Sequence, residues 1–148
     1  MTKRRSDPEA SLDRLVELAK GLAHPARLRL LGMLATGELC VCQLTAVLEL
    51  APSTVSQHLS VLARGGLVAE RKAVKLVFYR LRDDGAAASL VPPLRLLLEG
   101  DPTVRGDRAL IARLRRIPIT ALCAAELDLV AIGVRKPAAR ASVPALPA

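Results

Sequence analysis

Aromatic residues are almost absent from this 148-residue chain, which contains one Phe, one Tyr and no Trp. Half of the sequence is nevertheless hydrophobic, so its core has to be built from aliphatic side chains. A mean hydropathy of +0.32 in so short a chain predicts that some apolar surface is left for a partner subunit. The length suits a core of three or four helices.

Long apolar runs are also missing, because no uninterrupted stretch reaches the roughly 18 residues that a membrane-spanning helix requires. The most apolar late segment, 119–134, contains Glu126 and Asp128. The N-terminus carries charges of both signs and lacks the apolar centre of a secretion signal. We therefore expect a cytoplasmic protein that has no membrane partner.

Cysteine and histidine are scarce, with three cysteines and two histidines. An odd number of cysteines without an export signal argues against a disulfide scaffold and for reduced thiols. A cysteine nucleophile needs a neighbouring base, and neither His24 nor His58 stands in a known pattern with a cysteine. We expect no enzyme activity and no catalytic cofactor, and we interpret both histidines first as packing residues.

Positive charge is in excess and unevenly distributed, with a formal net charge of +8. There are 13 basic and 7 acidic residues up to Arg82, but 9 and 7 after it. Between Ser53 and Arg82, six basic residues accompany the single acidic residue Glu70. Such a basic cluster beside a helix is typical of a protein that contacts a phosphate backbone.

Hydrophobic spacing and helix signals predict four helices in the first half of the chain. The first is capped by Ser11 and carries an apolar stripe, and the second begins at Pro25 and ends at Gly37. The predicted ranges are 12–21, 25–37, 41–50 and 52–64. In the fourth helix Val55, Leu59 and Leu62 form one buried stripe.

Branched and aromatic residues then predict a β-hairpin with strands 67–71 and 74–81 and a turn at Lys72-Ala73. Further helices are predicted at 86–99, where Pro92-Pro93 breaks or kinks the chain, at 107–116 and at 119–132. The predicted fold is mainly α (α+β), a winged helix-turn-helix. Its parts are a flexible arm (1–10), the DNA-binding and dimerisation domain (11–100), a helical extension (101–136) and a disordered tail (137–148).

Two short helices, the second with small polar residues on its outer face, are typical of a helix-turn-helix that enters the major groove. Short hydroxyl, amide and guanidinium side chains can reach phosphates and base edges there. We therefore predict contacts with double-stranded DNA from the fourth helix and the basic turn of the hairpin. The predicted residues are Ser53, Thr54, Ser56, Gln57, His58, Ser60, Arg64, Arg71, Lys72 and Lys75.

Five segments taken in order resemble the ArsR/SmtB family of metal-sensing repressors. They are the runs 22–28 (LAHPARL), 38–42 (ELCVC), 53–59 (STVSQHL), 66–68 (GLV) and 78–81 (FYRL), and together they place the resemblance over about residues 12–82. The resemblance implies a homodimeric winged-helix repressor that binds a palindromic operator in the apo state and releases it when an inducer binds. It also implies a dimer interface made by the first helix and a C-terminal helix.

Cys40 and Cys42 stand at the start of the third predicted helix, where the helix dipole favours the thiolate form. Residues two apart in a regular helix face away from each other, so one ion can hold both only if the first turn opens. We therefore expect the ion to unwind this turn and so shift the recognition helix. A coupling of about 2–3 kcal/mol would weaken operator binding some 30- to 150-fold.

The 38–42 segment most resembles the arsenic and antimony sensors, which implies As(III) or Sb(III) as inducer. In those sensors a third cysteine often follows three positions after the second, where this chain has Thr45. Cys123 is a candidate third ligand, although it could equally be a buried inert thiol. If it is not a ligand, two thiolates would suit a monosubstituted organic arsenical better than arsenite.

Three other interpretations of the sequence stay open. A thiol-based redox sensor could use the same fold, although a direct disulfide between Cys40 and Cys42 would be strained. A Cd- or Pb-responsive repressor would use a similar cysteine box. A DNA-architectural protein would bind DNA with little sequence preference and would ignore thiophilic ions.

Overall fold

A computed structural model of the protein describes residues 11–137. The predicted flexible arm (1–10) and all but the first residue of the predicted disordered tail lie outside the described residues. The elements, in chain order, are α1 (Leu12–Leu22), α2 (Pro25–Leu34), β1 (Leu39–Cys40), α3 (Val41–Leu48), α4 (Pro52–Arg64), β2 (Val68–Ala73), β3 (Leu76–Leu81), α5 (Gly85–Glu99), α6 (Pro102–Leu114) and α7 (Ile119–Ala124). This is a mainly helical fold with a β-hairpin wing, as predicted.

The core lies among α2, α3, α4 and the hairpin and continues into α5, α6, α7 and the segment after α7, and its side chains are aliphatic apart from that of Tyr79. The predicted stripe Val55, Leu59 and Leu62 is fully buried. Ser11 caps α1 as predicted, because its Oγ accepts a hydrogen bond from the Arg14 amide at 3.2 Å. The burial of Val55, Leu59 and Leu62 leaves the polar face of α4 turned to solvent.

The sheet contains one strand more than the hairpin that the sequence predicts. Its order is β1-β3-β2, with both neighbouring pairs antiparallel. The predicted turn at Lys72-Ala73 is wrong, since β2 continues to Ala73 and the chain turns at Val74 and Lys75. In this longer strand β2, Arg71 pairs with Phe78 of β3. The guanidinium carbon of Arg71 lies 4.5 Å from the centroid of the Phe78 ring.

The C-terminal elements also differ in their bounds from the prediction. α5 continues through Pro92 and Pro93 as one helix, and α6 begins at Pro102, capped by Asp101, and not at residue 107. α7 ends at Ala124 and not at residue 132, because Glu126 and Leu127 take left-handed backbone angles. The chain after this reversal returns to α3, where Arg135 donates to the carbonyl oxygen of Val47.

α6 packs along α2 and holds the C-terminal elements against the winged helix. The buried Asp107 accepts two hydrogen bonds from the Arg29 guanidinium, at 2.7 and 2.8 Å. This contact raises the pKa of Arg29. Gly32 permits the close approach of the helices, since a Cβ there would lie 2.6 Å from Cγ1 of Val104.

Apolar side chains on α1 and α5 are left exposed. The exposed residues of α1 are Leu12, Leu15 and Val16, and those of α5 are the consecutive leucines Leu96 and Leu97. Exposed apolar patches of this kind mark contact surfaces. No helix in the described range 11–137 is both long and apolar enough to span a membrane.

Candidate thiol centre and nucleic-acid interface

The thiol centre begins where β1 meets α3. Cys40 is the residue before the first turn of α3 and has extended backbone angles, φ −71° and ψ 145°, whereas Cys42 lies inside the helix. The two sulfurs are therefore only 3.3 Å apart while the first turn is intact. The expectation that this turn must open before one ion can reach both sulfurs is wrong, because it applied the spacing of a regular helix to Cys40, whose backbone is extended.

Two contacts fix the backbone of Cys40. Strand β1 pairs Cys40 with Phe78 of β3, and the buried side chain of Gln43 accepts a hydrogen bond from the Cys40 amide at 2.9 Å. A glutamine at the third position of a helix commonly binds back to the residue before the helix in this way. That spacing was visible in the sequence, and it is the signal that could have identified Cys40 as the capping residue with an extended backbone.

The third sulfur comes from α7, which packs against α3. Cys123 is exposed, and its Sγ lies 3.7 Å from Sγ of Cys42. Thr45, at the position where the arsenic sensors often have their third cysteine, is buried at 5% exposure and supplies no sulfur. Cys42 thus contacts both of the other cysteines, and the three sulfurs come together within one chain.

The spacing of these sulfurs suits a shared ion. A metal–thiolate bond is about 2.3 Å long, so two thiolates on one ion lie roughly 3.3 to 3.8 Å apart for bond angles between a right angle and the tetrahedral value. The observed distances are 3.3 and 3.7 Å. Within residues 11–137, no group of three or more His, Cys, Asp or Glu side chains is arranged to hold a metal ion, so the three sulfurs form two pairwise contacts that share Cys42.

The thiol of Cys42 is not activated as the sequence suggested. Burial, followed by the neighbouring thiols of Cys40 and Cys123, raises the pKa of Cys42 to about 12. The expected stabilisation of the thiolate by the start of α3 is therefore wrong for Cys42, since desolvation outweighs the helix dipole. The thiol of Cys42 is therefore protonated near neutral pH.

The predicted DNA-contacting residues lie on α4 and the wing. Val55 and Leu59 face the core, so the opposite side of α4 is turned to solvent. The exposed residues of the predicted set are Ser53, Ser56, Gln57, Ser60, Arg64, Arg71, Lys72 and Lys75, whereas Thr54 and His58 are half-buried. The arrangement leaves a polar helix face and a basic hairpin tip on the surface.

Two basic residues of the wing already have acidic partners. Arg71 forms a bidentate pair with Glu38, and Lys72 lies 3.6 Å from Glu70. The hydrogen bond from Arg71 lowers the pKa of Glu38. Glu38 immediately precedes β1, so this pair ties the wing to the strand that carries Cys40.

His58 contacts α2, as the packing interpretation predicted. Its Nδ1 accepts a hydrogen bond from the Arg27 guanidinium at 3.1 Å, and its ring centroid lies 4.4 Å from that of His24. Burial and these two neighbours lower the pKa of His58. His24 itself caps α2, with Nδ1 accepting from the Ala26 amide at 3.0 Å.

A single cavity of about 390 Å³ joins the thiol centre to the predicted DNA-contacting residues. Its walls come from the start of α3, the outer face of α4 and the two strands of the wing. The lining residues are Cys40, Val41, Cys42, Ser56, Ser60, Glu70, Lys72, Lys75, Leu76, Val77 and Tyr79. The contribution of Tyr79, whose hydroxyl donates to Glu70 at 2.9 Å, was missed in the sequence.

These features together define a winged helix-turn-helix protein of the nucleic-acid-binding class. The family model described as the bacterial regulatory protein, arsR family, matches residues 24–70, which span α2 to the beginning of the wing. The chain belongs to this arsR family.

Relatives in the family carry different regulatory names. The chain is 50% identical over 70 residues to a biofilm growth-associated repressor of Agrobacterium fabrum, covering 47% of this chain and 60% of the relative. It is 41% identical over 66 residues to an arsenic resistance transcriptional regulator of Pseudomonas putida, covering 44% of this chain and 52% of the relative. The chain thus spans little more than half of each of these two relatives.

A solved structure with the same fold is the homodimeric winged helix-turn-helix DNA-binding domain of a possible ArsR-family regulator from Mycobacterium bovis. The TM-score is 0.54 at 28% identity, and the match covers 67% of this chain and 91% of that one. The comparison extends the likeness from the sequence motifs to the three-dimensional fold.

Proposed function

We propose that the protein is a homodimeric transcriptional repressor that binds operator DNA when free and releases it on binding trivalent arsenic or antimony. The observation that carries this proposal is the convergence of Cys40, Cys42 and Cys123 at sulfur–sulfur distances of 3.3 and 3.7 Å. Relatives named as repressors support the regulatory part. A relative named for arsenic resistance supports the choice of inducer.

The exposed apolar side chains of α1 and α5 are the proposed dimer interface. Leu12 is 79% exposed and Leu97 is 77% exposed in the single chain. A second copy that covers these faces would bury them and would present two α4 helices to the two halves of a palindromic site. The homodimeric relative from Mycobacterium bovis supports this assembly.

The donor set favours a thiophilic trivalent element. Three sulfurs are soft ligands, and three protonated thiols can each replace one hydroxide of arsenous acid, so that three waters leave and no net charge remains. A divalent cation held by the same three sulfurs would require their ionisation, which the buried position of Cys42 opposes. Reduced thiols also require a reducing compartment such as the cytoplasm.

The release of DNA then follows from the shared cavity and needs no unwinding of α3. Cys40 and Cys42 lie on the same cavity walls as Ser56, Ser60 and Lys75. Cys40 is also paired with the wing strand β3. Any shift of the cysteines towards a common ligand therefore acts directly on the wing and on the outer face of α4.

The proposal is tested by fluorescence anisotropy on a labelled fragment of the protein's own promoter. We expect arsenite or antimonite to release the DNA, and Cys40→Ser and Cys42→Ser to abolish the release while DNA affinity stays within about threefold. Ala124→Ser on α7 is a matched control that adds a hydroxyl beside Cys123 and removes no thiol. Normal release by both cysteine variants would contradict the proposal.

A second candidate is a thiol redox sensor, favoured by the 3.7 Å between the sulfurs of Cys42 and Cys123. Peroxide would oxidise these two thiols to a disulfide and would itself be reduced to two waters. The same anisotropy assay separates the candidates, since peroxide would then release DNA reversibly with dithiothreitol. Release by peroxide and none by arsenite would favour the redox sensor.

A further inference from the structure

The thiol centre has two sides that differ in their surroundings. Cys40 and Cys42 both line the cavity between α4 and the wing, whereas Cys123 is not among the lining residues. Cys40 is fully buried and Cys123 is exposed. Two thiols thus adjoin this cavity, which is open to solvent, and the third approaches Cys42 from α7.

The cavity is suited to a small organic group. Its volume of about 390 Å³ falls within the range of roughly 300–1,000 Å³ that is usual for small-molecule pockets. Val41, Leu76 and Val77 supply apolar walls, and the buried ring of Tyr79 is held in place by its hydrogen bond to Glu70. Arsenite bound by three thiols would not need to contact these wall side chains.

We propose that this cavity holds the organic substituent of a monosubstituted trivalent arsenical that is bound by Cys40 and Cys42; the inference rests on the function proposed above. In the binding step R–As(OH)₂ and two thiols give R–As(S-Cys)₂ and two waters, so that two As–S bonds replace two As–O bonds. Arsenic stays trivalent, and each thiol proton leaves with a hydroxide. The third valence of arsenic carries the group R, which extends into the cavity, whereas in the arsenite complex the third valence is bonded to Cys123 on the other side of the centre.

The two ligands are therefore expected to depend on different parts of the site. Arsenite depends on Cys123 and makes no use of the cavity walls. An aryl arsenical depends on the walls and is indifferent to Cys123. Because Ser56, Ser60 and Lys75 line the same cavity, the bound ring lies beside the residues predicted to contact DNA.

The test is calorimetric titration of the full-length chain with arsenite and with phenylarsonous acid. Val77→Phe fills the cavity with a residue that strands accommodate well, and it should weaken phenylarsonous acid binding at least about tenfold while arsenite affinity changes less than twofold. Val74→Phe is the matched control in the same hairpin, since Val74 is fully exposed and outside the cavity lining. Thermal melting checks that each variant is folded.

A second variant keeps the inference testable if Val77→Phe does not fold. Leu76→Ala enlarges the cavity and should raise the affinity for a para-substituted phenylarsonous acid severalfold relative to the unsubstituted acid. Unchanged selectivity in the folded variants would overturn the cavity assignment, and it would leave the arsenite response intact. Failure of both arsenite and phenylarsonous acid to bind the unaltered protein would instead overturn the proposed function and this inference with it.

Discussion

The replacement of Cys123 by serine gives the sharpest quantitative prediction for arsenite. The sulfur of Cys123 lies 3.7 Å from that of Cys42. One thiol confined to a sphere of that radius corresponds to a local concentration of about 8 M. In Cys123→Ser, a small thiol from solution has to take the third position on arsenic.

The size of the effect follows from the ratio of these concentrations. In a buffer with about 5 mM of a small monothiol, the variant should bind arsenite roughly a thousandfold more weakly than the unaltered chain. A tenfold increase of the free thiol should reduce this ratio about tenfold, because the free thiol is then a component of the variant's complex. Competition by the free thiol for arsenite affects both proteins equally and cancels in the ratio.

The assay is the titration of anisotropy-monitored DNA release with arsenite at three thiol concentrations, for the unaltered chain, Cys123→Ser and Ala124→Ser. The expected signature is a ratio that falls in inverse proportion to the thiol concentration for Cys123→Ser and stays at one for Ala124→Ser. A ratio near one for Cys123→Ser at every thiol concentration would refute three-sulfur coordination. It would also show that the proximity of α7 to the thiol pair has no part in arsenite binding.

Three further predictions concern stability and pH. Asp107→Asn should lower the free energy of unfolding by about 2 kcal/mol, because the half-exposed Arg29 loses its charged partner. Urea denaturation measures this change, and an unchanged free energy of unfolding would show that the pair does not stabilise the fold. Gly32→Ala should destabilise by about 1–3 kcal/mol through its clash with Val104, and Val104→Ala in the same chain should restore most of the loss. Cadmium affinity should rise steeply from pH 6 to 8, because cadmium must displace protons from thiols such as Cys42 whose pKa is raised to about 12, whereas arsenite affinity should be nearly flat. Equal slopes for the two ligands would rule out binding of arsenite by neutral thiols.

The sequence predicted the winged-helix half of the fold well because its signals are local. Ser11, Pro25 and Pro52 mark helix starts, and the stripe of Val55, Leu59 and Leu62 has the spacing of a single buried face. The hairpin turn was misplaced because a type of turn without Gly or Asn gives no strong local signal. Val74 takes a φ of 52°, a left-handed backbone angle that a valine in the sequence does not predict.

The thiol centre was only partly accessible to sequence reasoning. Cys40 and Cys42 were identified, but their mutual geometry depended on whether Cys40 lies inside or before the helix. Cys123 is 81 residues from Cys42, and its approach depends on how α6 and α7 pack. No periodicity encodes such a long-range contact, and the pair of Arg29 with the buried Asp107, which helps to fix it, is likewise non-local.

The dependence of the third thiol on tertiary packing links inducer binding to the stability of the C-terminal elements. The chain after α7 is held by hydrogen bonds from Arg113 to the Val134 carbonyl and from Arg135 to the Val47 carbonyl. A ligand that engages Cys123 only when α7 is docked must, by linkage, stabilise the docked form by RT ln(1 + [L]/Kd). At a hundredfold excess over Kd this amounts to about 2.7 kcal/mol, or close to a hundredfold slower hydrogen exchange in α7. An aryl arsenical held by Cys40 and Cys42 alone has no such linkage, so it should release DNA without protecting α7.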